Sequence, residues 1–175
     1  ELLRDLLPKA TSAAVLINPA NPTLADAFVQ AMEPAGRTLG LQVNIVRAST
    51  EQEIDAAFAN LVQLRADGVV IMPDVFFNTR SAQLAALALR HQVPAIYQFR
   101  PFAAAGGLMS YGSDQSEYYR LVGMYAGKIL KGEKPANLPV QEVTKIDLII
   151  NLKTAKALGV TVPLPLLGRA DEVIE

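Results

Sequence analysis

Apolar runs of strand length alternate with amphipathic stretches of helix length along the first 130 residues. Residues 13–17 form a continuous apolar run, the pattern of a strand covered on both faces. Over 21–39, Leu24, Ala27, Phe28, Ala31, Met32, Ala35 and Leu39 recur at helical spacing, and Gly40 supplies a stop. Pro34 inside this stretch predicts a kink or an early end. Residues 42–47 alternate as a second strand. Ser49 or Thr50 then caps a helix with Glu51 and Glu53 in its first turn and Ile54, Ala57, Phe58, Leu61 and Leu64 on one face. Further strands are predicted over 68–72, 93–97 and 107–111, and helices over 78–90, 101–105 and 114–130. Lys131-Gly132-Glu133-Lys134-Pro135 closes the last helix. A short helix over 1–7, stopped by Pro8, precedes the series.

Connections of this length favour parallel pairing with right-handed crossovers. The expected fold is α/β: a doubly wound parallel five-stranded sheet of order 2-1-3-4-5 in a three-layer αβα sandwich. The rhythm breaks after Pro135. Residues 136–143 read as extended and exposed, 145–151 as a strand, and 152–158 as a short helix stopped by Gly159. The prolines of Val160-Thr161-Val162-Pro163-Leu164-Pro165 rule out a central strand there. Ile149, Ile150, Leu164, Leu166 and Leu167 find little room on a completed five-stranded sheet. They are expected to pack on a body outside these 175 residues.

Composition narrows the function classes. With 51% hydrophobic and 19% charged residues the chain is globular rather than disordered. A net charge of −1 without a basic cluster argues against sequence-independent nucleic-acid binding. No apolar stretch reaches the length of a membrane span. The absence of cysteine removes thiolate catalysis, disulfides and cysteine-based zinc sites, and has no bearing on compartment. The chain opens at Glu1, within a helical pattern. It is therefore expected to be an internal piece of a longer protein whose targeting signals lie elsewhere.

Three apolar runs end in polar loops, and such loops gather at the carboxyl edge of a parallel sheet, where open α/β folds bind ligands. The first loop holds Asn18, Asn21 and Thr23. Asn21 or Thr23 caps the next helix, and free amides at that helix end can hold an anion. The second holds Asp74, which either caps the following turn or pairs with a ligand ammonium. Of Phe76 and Phe77 beside it, one suits the core and the other a pocket wall. The third holds Tyr111, Gly112, Ser113 and Asp114. Ser113 or Asp114 forms a capping arrangement with Glu117. Arg100 is a surface charge or a carboxylate clamp. His91, the single histidine, sits at a helix end, away from the polar loops. No nucleophile elbow, Walker loop, dinucleotide fingerprint or metal-ligand spacing is present, so neither catalysis nor a cofactor is expected.

Several segments resemble the periplasmic substrate-binding proteins of ABC transporters, specifically the family that includes tryptophan- and tyrosine-type receptors. They are Asn18-Pro19-Ala20-Asn21-Pro22, Ala105-Gly106-Gly107-Leu108-Met109-Ser110-Tyr111-Gly112, Ile129-Leu130-Lys131-Gly132 and Pro135-Ala136-Asn137-Leu138-Pro139. Ile149-Ile150-Asn151-Leu152-Lys153-Thr154-Ala155-Lys156-Ala157-Leu158-Gly159 and Ala170-Asp171-Glu172-Val173-Ile174-Glu175 complete the set. The resemblance implies a type I periplasmic-binding fold, two α/β lobes that close on a solute. In those terms 1–12 is a hinge helix and linker from a missing first lobe. Residues 13–140 are the second lobe, and 141–175 a returning crossover strand and tail. Ligand contacts carried over by position fall on Asn18, Asn21, Thr23, Asp74, Phe76, Tyr111, Gly112, Ser113 and Asp114. Arg100-Pro101 departs from the family, where an acidic residue often follows the arginine.

The function expected is that of an extracytoplasmic solute-binding component of an ABC importer. It would be periplasmic or membrane-anchored, serve permease subunits and take a small solute such as an amino acid. The alternative is the effector-binding domain of a transcription regulator with the same fold. A flavodoxin-like enzyme ranks third, lacking its glycine fingerprints. One lobe offers half a cleft, so weak or no binding and some self-association are expected of the isolated chain.

Overall fold

Strands buried on both faces nucleate the architecture. In a computed structural model, which describes residues 1–141 and 145–175, β1 (Ser12–Ile17) has every residue from Ala13 onward buried. It lies between β2 (Gln42–Arg47) and β3 (Gly68–Ile71), parallel to both. β4 (Ala95–Tyr97) and β5 (Met109–Ser113) extend the sheet in parallel. The parallel part therefore has the expected order 2-1-3-4-5.

The helices follow the apolar periodicity with two departures. α1 (Leu2–Leu6) precedes β1, and α2 (Pro22–Leu39) links β1 to β2, running on through Pro34 to end at Gly40 in the left-handed conformation. The predicted kink does not shorten it. α3 (Glu51–Gln63) is capped by Thr50, whose hydroxyl accepts from the Glu53 amide, while the Glu53 carboxylate accepts from the Ser49 amide. The Ser49 amide and hydroxyl, both donating to it, hold the Glu53 carboxyl below its ordinary range. The helix expected over 78–90 is two pieces, α4 (Val75–Asn78) and α5 (Ser81–Arg90), because Asp74 caps a turn that starts three residues early. α6 (Arg100–Ala104) leads to β5, and α7 (Gln115–Leu130) leaves it.

Among the described residues the sheet has seven strands rather than five. β6 (Ile146–Asn151) pairs antiparallel with β5, Ser113 opposite Ile146 and Met109 opposite Ile150. β7 (Glu172–Ile174) pairs parallel with β6, after α8 (Leu152–Ala157) and α9 (Leu164–Leu167). The expected home for the tail outside the chain is therefore corrected. Ile149, Ile150 and Leu166 are buried within it, the latter two in a cluster with Leu3 and Leu6 of α1 and Met109 of β5. Leu164 alone of the five stays fully exposed. The sequence pattern missed this because an antiparallel return needs no helical crossover. Of the extended reading over 136–143, residues 142 and 143 lie outside the described residues, and Pro135–Asn137 is one short 3-10 turn.

A second, larger cluster fills the space around β1 and β3, with Phe58, Phe77 and Leu84 fully buried. α7 joins neither cluster. None of its residues is buried, and Tyr118, Tyr119, Val122, Ile129 and Leu130 face outward.

Asn151 fastens the tail. Its Nδ2 donates to the Ala103 carbonyl at 3.0 Å, and its Oδ1 accepts from the Thr154 amide at 3.0 Å. The Thr154 hydroxyl donates to the Gly106 carbonyl at 2.8 Å. Asn151→Ala removes a helix cap and one of the two hydrogen bonds to the Ala103 carbonyl, which keeps the Gly106 amide as a donor. It should cost about 2–3 kcal/mol, read as a lower urea midpoint with an unchanged slope.

Candidate functional site

Because β1 and β3 are neighbours, their exit loops meet. Asn18 and Asp74 are 6% and 8% exposed, and the Asn18 amide donates to Asp74 Oδ1 at 2.9 Å. The same oxygen accepts from the Phe76 amide at 2.9 Å, which makes Asp74 the N-cap of α4. Asn18 Oδ1 accepts from the Ala20 amide at 3.0 Å and so shapes the turn into α2. Asn21 precedes α2 without capping it through its side chain, and its amide instead reaches Asp74 Oδ2 at 3.5 Å. Thr23 lies exposed in the first turn of α2.

Asp74 is the one charged residue in the buried polar set of the described residues. Its partners are two side-chain amides and one backbone N–H, with no cation among them. Burial of a carboxylate without a counter-charge is costly, and an ammonium is the kind of group that would offset that cost. Beside it, the N-terminal amides of the eighteen-residue α2 lack a side-chain cap, a setting suited to a carboxylate.

The two phenylalanines divide as expected. Phe77 is fully buried, and Phe76 packs partly buried on the larger cluster. Arg80, which the sequence reading did not select, lies with its guanidinium carbon 4.0 Å from the Phe76 ring centroid. The spacing of four residues was a legible signal, but the break between α4 and α5 hid it.

The third loop divides between two hollows. Tyr111, half exposed, lines an apolar hollow of about 360 Å³ with Phe28, Met32, Ile96 and Gln98. Gly112, Ser113 and Asp114 line a polar hollow of about 570 Å³ that also takes in Arg100, Asp147 and Glu172. Gly112 is required there, since a Cβ would stand 2.2 Å from the Gln98 carbonyl oxygen. Asp114 caps α7 by accepting from the Ser116 amide and hydroxyl, both at 2.8 Å, and these bonds lower its pKa. Ser113 is not the cap. Arg100 is held by Glu172 in a two-pronged pair of 2.8 and 2.7 Å, which commits it to β7 rather than leaving it free for a ligand carboxylate. His91 ends α5, its ring 6.3 Å from that of Phe58. Among the described residues no group of His, Asp and Glu has metal-binding geometry, and no helix is long and apolar enough to cross a membrane.

The edge thus presents a hydrogen-bonded cluster of Asn18, Asn21, Asp74 and Phe76, with Thr23 nearby in sequence. Tyr111 and 112–114 line separate hollows further along the sheet. The family model of the ABC transporter substrate binding proteins matches residues 1–174. The chain belongs to that family. A tyrosine-binding protein of Clostridioides difficile (strain R20291) is 24% identical over 90% of this chain and 45% of its own length. The same fold occurs in a conserved domain protein from Vibrio cholerae, with a TM-score of 0.87 and 23% identity over 98% of this chain and 57% of that one. An ABC domain from Streptococcus pneumoniae in complex with L-Trp gives a TM-score of 0.85 and 23% identity over 99% of this chain and 59% of that one. The chain spans about half the length of these family relatives.

The Arg100–Glu172 pair makes acid stability testable. The arginine bonds hold the Glu172 carboxyl below its ordinary range. A depressed folded-state pKa contributes stability that is present above the ordinary glutamate pKa and lost as pH falls through the folded one. Both side chains are more than one third exposed, so solvent screening holds the contribution under about 1 kcal/mol. In a series of thermal melts, Glu172→Gln should flatten the drop in midpoint between about pH 5 and pH 3. An acid limb identical to that of the wild type would dismiss the pair as a contributor.

Proposed function

We propose that this chain is one lobe of a two-lobed, extracytoplasmic solute-binding protein that serves ABC permease subunits and takes an amino acid between its lobes. The observation that carries this reading is the buried, cation-free carboxylate of Asp74 beside the uncapped start of α2. Opposite charges of an amino acid, ammonium and carboxylate, match that pair of features at one sheet edge. Asn18 and Asn21 orient Asp74, Thr23 lies in the first turn of α2, and Phe76 supplies an apolar wall. Tyr111 and the loop of Gly112, Ser113 and Asp114 approach the solute from further along the edge. The names of two relatives, one tyrosine-binding and one in complex with L-Trp, favour an aromatic solute.

The outward apolar face of α7 and the greater length of the relatives favour a second lobe resting on that helix. Family membership favours a transport role over that of a regulator's effector domain, and a periplasmic or membrane-anchored location.

Calorimetry of the full-length protein against the common amino acids tests the proposal. Asp74→Asn keeps the shape of the cap and removes the charge, so affinity should fall about 10- to 100-fold. Unchanged affinity in that variant would remove the ammonium contact, and no binding of any amino acid would sink the whole reading. The isolated 175 residues should bind far more weakly than the full-length protein, because desolvation of the solute needs both lobes. They should also self-associate in sedimentation velocity runs, with Tyr119→Lys and Leu130→Lys restoring the monomer. A monomer in the unsubstituted chain would count against an apolar interface on α7.

A further inference from the structure

Phe76 is held in place more completely than packing alone requires. Its amide donates to Asp74 Oδ1, and its carbonyl accepts from Arg80 Nη1 at 3.1 Å. Its ring is covered by the Arg80 guanidinium at 4.0 Å. Arg80 is fixed in turn. Its Nε donates to Glu51 Oε1 at 3.1 Å, its Nη2 lies 3.1 Å from the same oxygen, and its Nη1 donates to Thr79 Oγ1 at 3.0 Å. The side chain is 27% exposed. The first turn of α3 therefore fixes a cation over a ring whose backbone is bonded to Asp74.

We infer that Arg80 is a specificity-determining residue of the proposed solute site, biasing it toward amino acids with electron-rich aromatic side chains. A cation above one face of a benzene ring draws π density toward itself. The remaining face and edge become electron-poorer. An indole or phenol ring, rich in π density, gains from such a partner beyond its area burial. An aliphatic side chain contributes dispersion alone and is indifferent to the cation. Because the Phe76 amide bonds to Asp74, the ammonium contact and the aromatic wall move as one unit. The inference rests on the amino-acid reading above and adds the residue that enforces its aromatic preference.

The experiment uses the full-length protein, titrated calorimetrically with L-Trp, L-Tyr and L-Leu. Arg80→Met keeps length and apolar bulk and removes the charge. The ratio of aromatic to aliphatic affinity should fall about threefold, with L-Leu binding unchanged. Arg80→Lys should restore part of the ratio, which a purely structural arginine would not predict. If Arg80→Met fails to fold, Glu51→Gln loosens the guanidinium without touching the ring and should lower the ratio in the same direction. Equal loss for all three solutes, or an unchanged ratio, would overturn the inference. So would a Phe76→Leu variant that keeps the wild-type ratio. Uniform weakening in Asp74→Asn would leave the ammonium contact standing even where the Arg80 variants fail. A wild type that takes no amino acid would end both readings.

Discussion

A strand buried on both faces has only its ends for chemistry. β1 carries no polar side chain from Ala13 to Ile17, and its first side chain beyond the sheet is Asn18. β3 behaves alike and releases Asp74 two residues after Met72. Since the two strands are parallel neighbours, these groups emerge side by side at one edge and must satisfy each other there. The Asn18–Asp74 hydrogen bond is the result. Through it the turn into α2, the cap of α4 and the placement of Phe76 become one connected arrangement. The candidate site is thus a consequence of the sheet before it is a consequence of any ligand.

The same logic separates what was legible in the sequence from what was not. Parallel pairing through β5 followed from the run lengths and helical crossovers, and the order 2-1-3-4-5 is one of the common doubly wound arrangements they allow. Asn18 and Asp74 were legible as edge groups for the same reason. Asp74 reads from the sequence as a turn cap or a ligand group, and the geometry shows the cap: Oδ1 carries it, and Oδ2 has one long bond to Asn21. The tail was misplaced because β6 returns antiparallel, a pairing that leaves no helical signature in the run lengths. The separation of Tyr111 from Gly112 was implicit in the alternation of a strand, but it becomes visible only once β5 is known to continue through Ser113. Arg80 escaped notice because its partners, Glu51 and Phe76, come from different elements, and only the folded chain brings them together.

Two surplus apolar surfaces also had to be accounted for, and they meet opposite fates. The tail reads from the sequence as too apolar for a completed sheet, and α7 shows its exposed apolar face only in the fold. The tail closes over α1 and β5, held by Asn151 and by the Asp171 side chain, which accepts from the Leu148 amide at 2.8 Å. α7 departs from β5 between Asp114 and Leu130 with no buried residue, although Leu130 is 87% exposed. A free helix of sixteen residues is marginal in water, and the cap at Asp114 and the Glu117–Arg120 pair are small local aids to α7. The difference lies in backbone pairing. β6 and β7 bring ladder hydrogen bonds that anchor their side chains to the sheet, whereas a lone helix satisfies its own backbone and must depend on side-chain burial alone.

Charge placement distinguishes the two ends of the edge for the proposed recognition. The larger hollow, at the ends of β5 to β7, is crowded with charges that already answer one another: Arg100 with Glu172, Lys145 with Asp147, and Asp114 with the start of α7. A solute entering there would have to break strong local pairs to gain its own. At the ends of β1 and β3 the balance is reversed. Asp74 is buried, and its partners are neutral amides, so an incoming ammonium would complete an arrangement rather than compete with one. Size alone would favour the larger hollow. Uncompensated charge favours the smaller cluster, because an exchange of one ion pair for another yields little net free energy while neutralising a buried carboxylate recovers part of its desolvation cost.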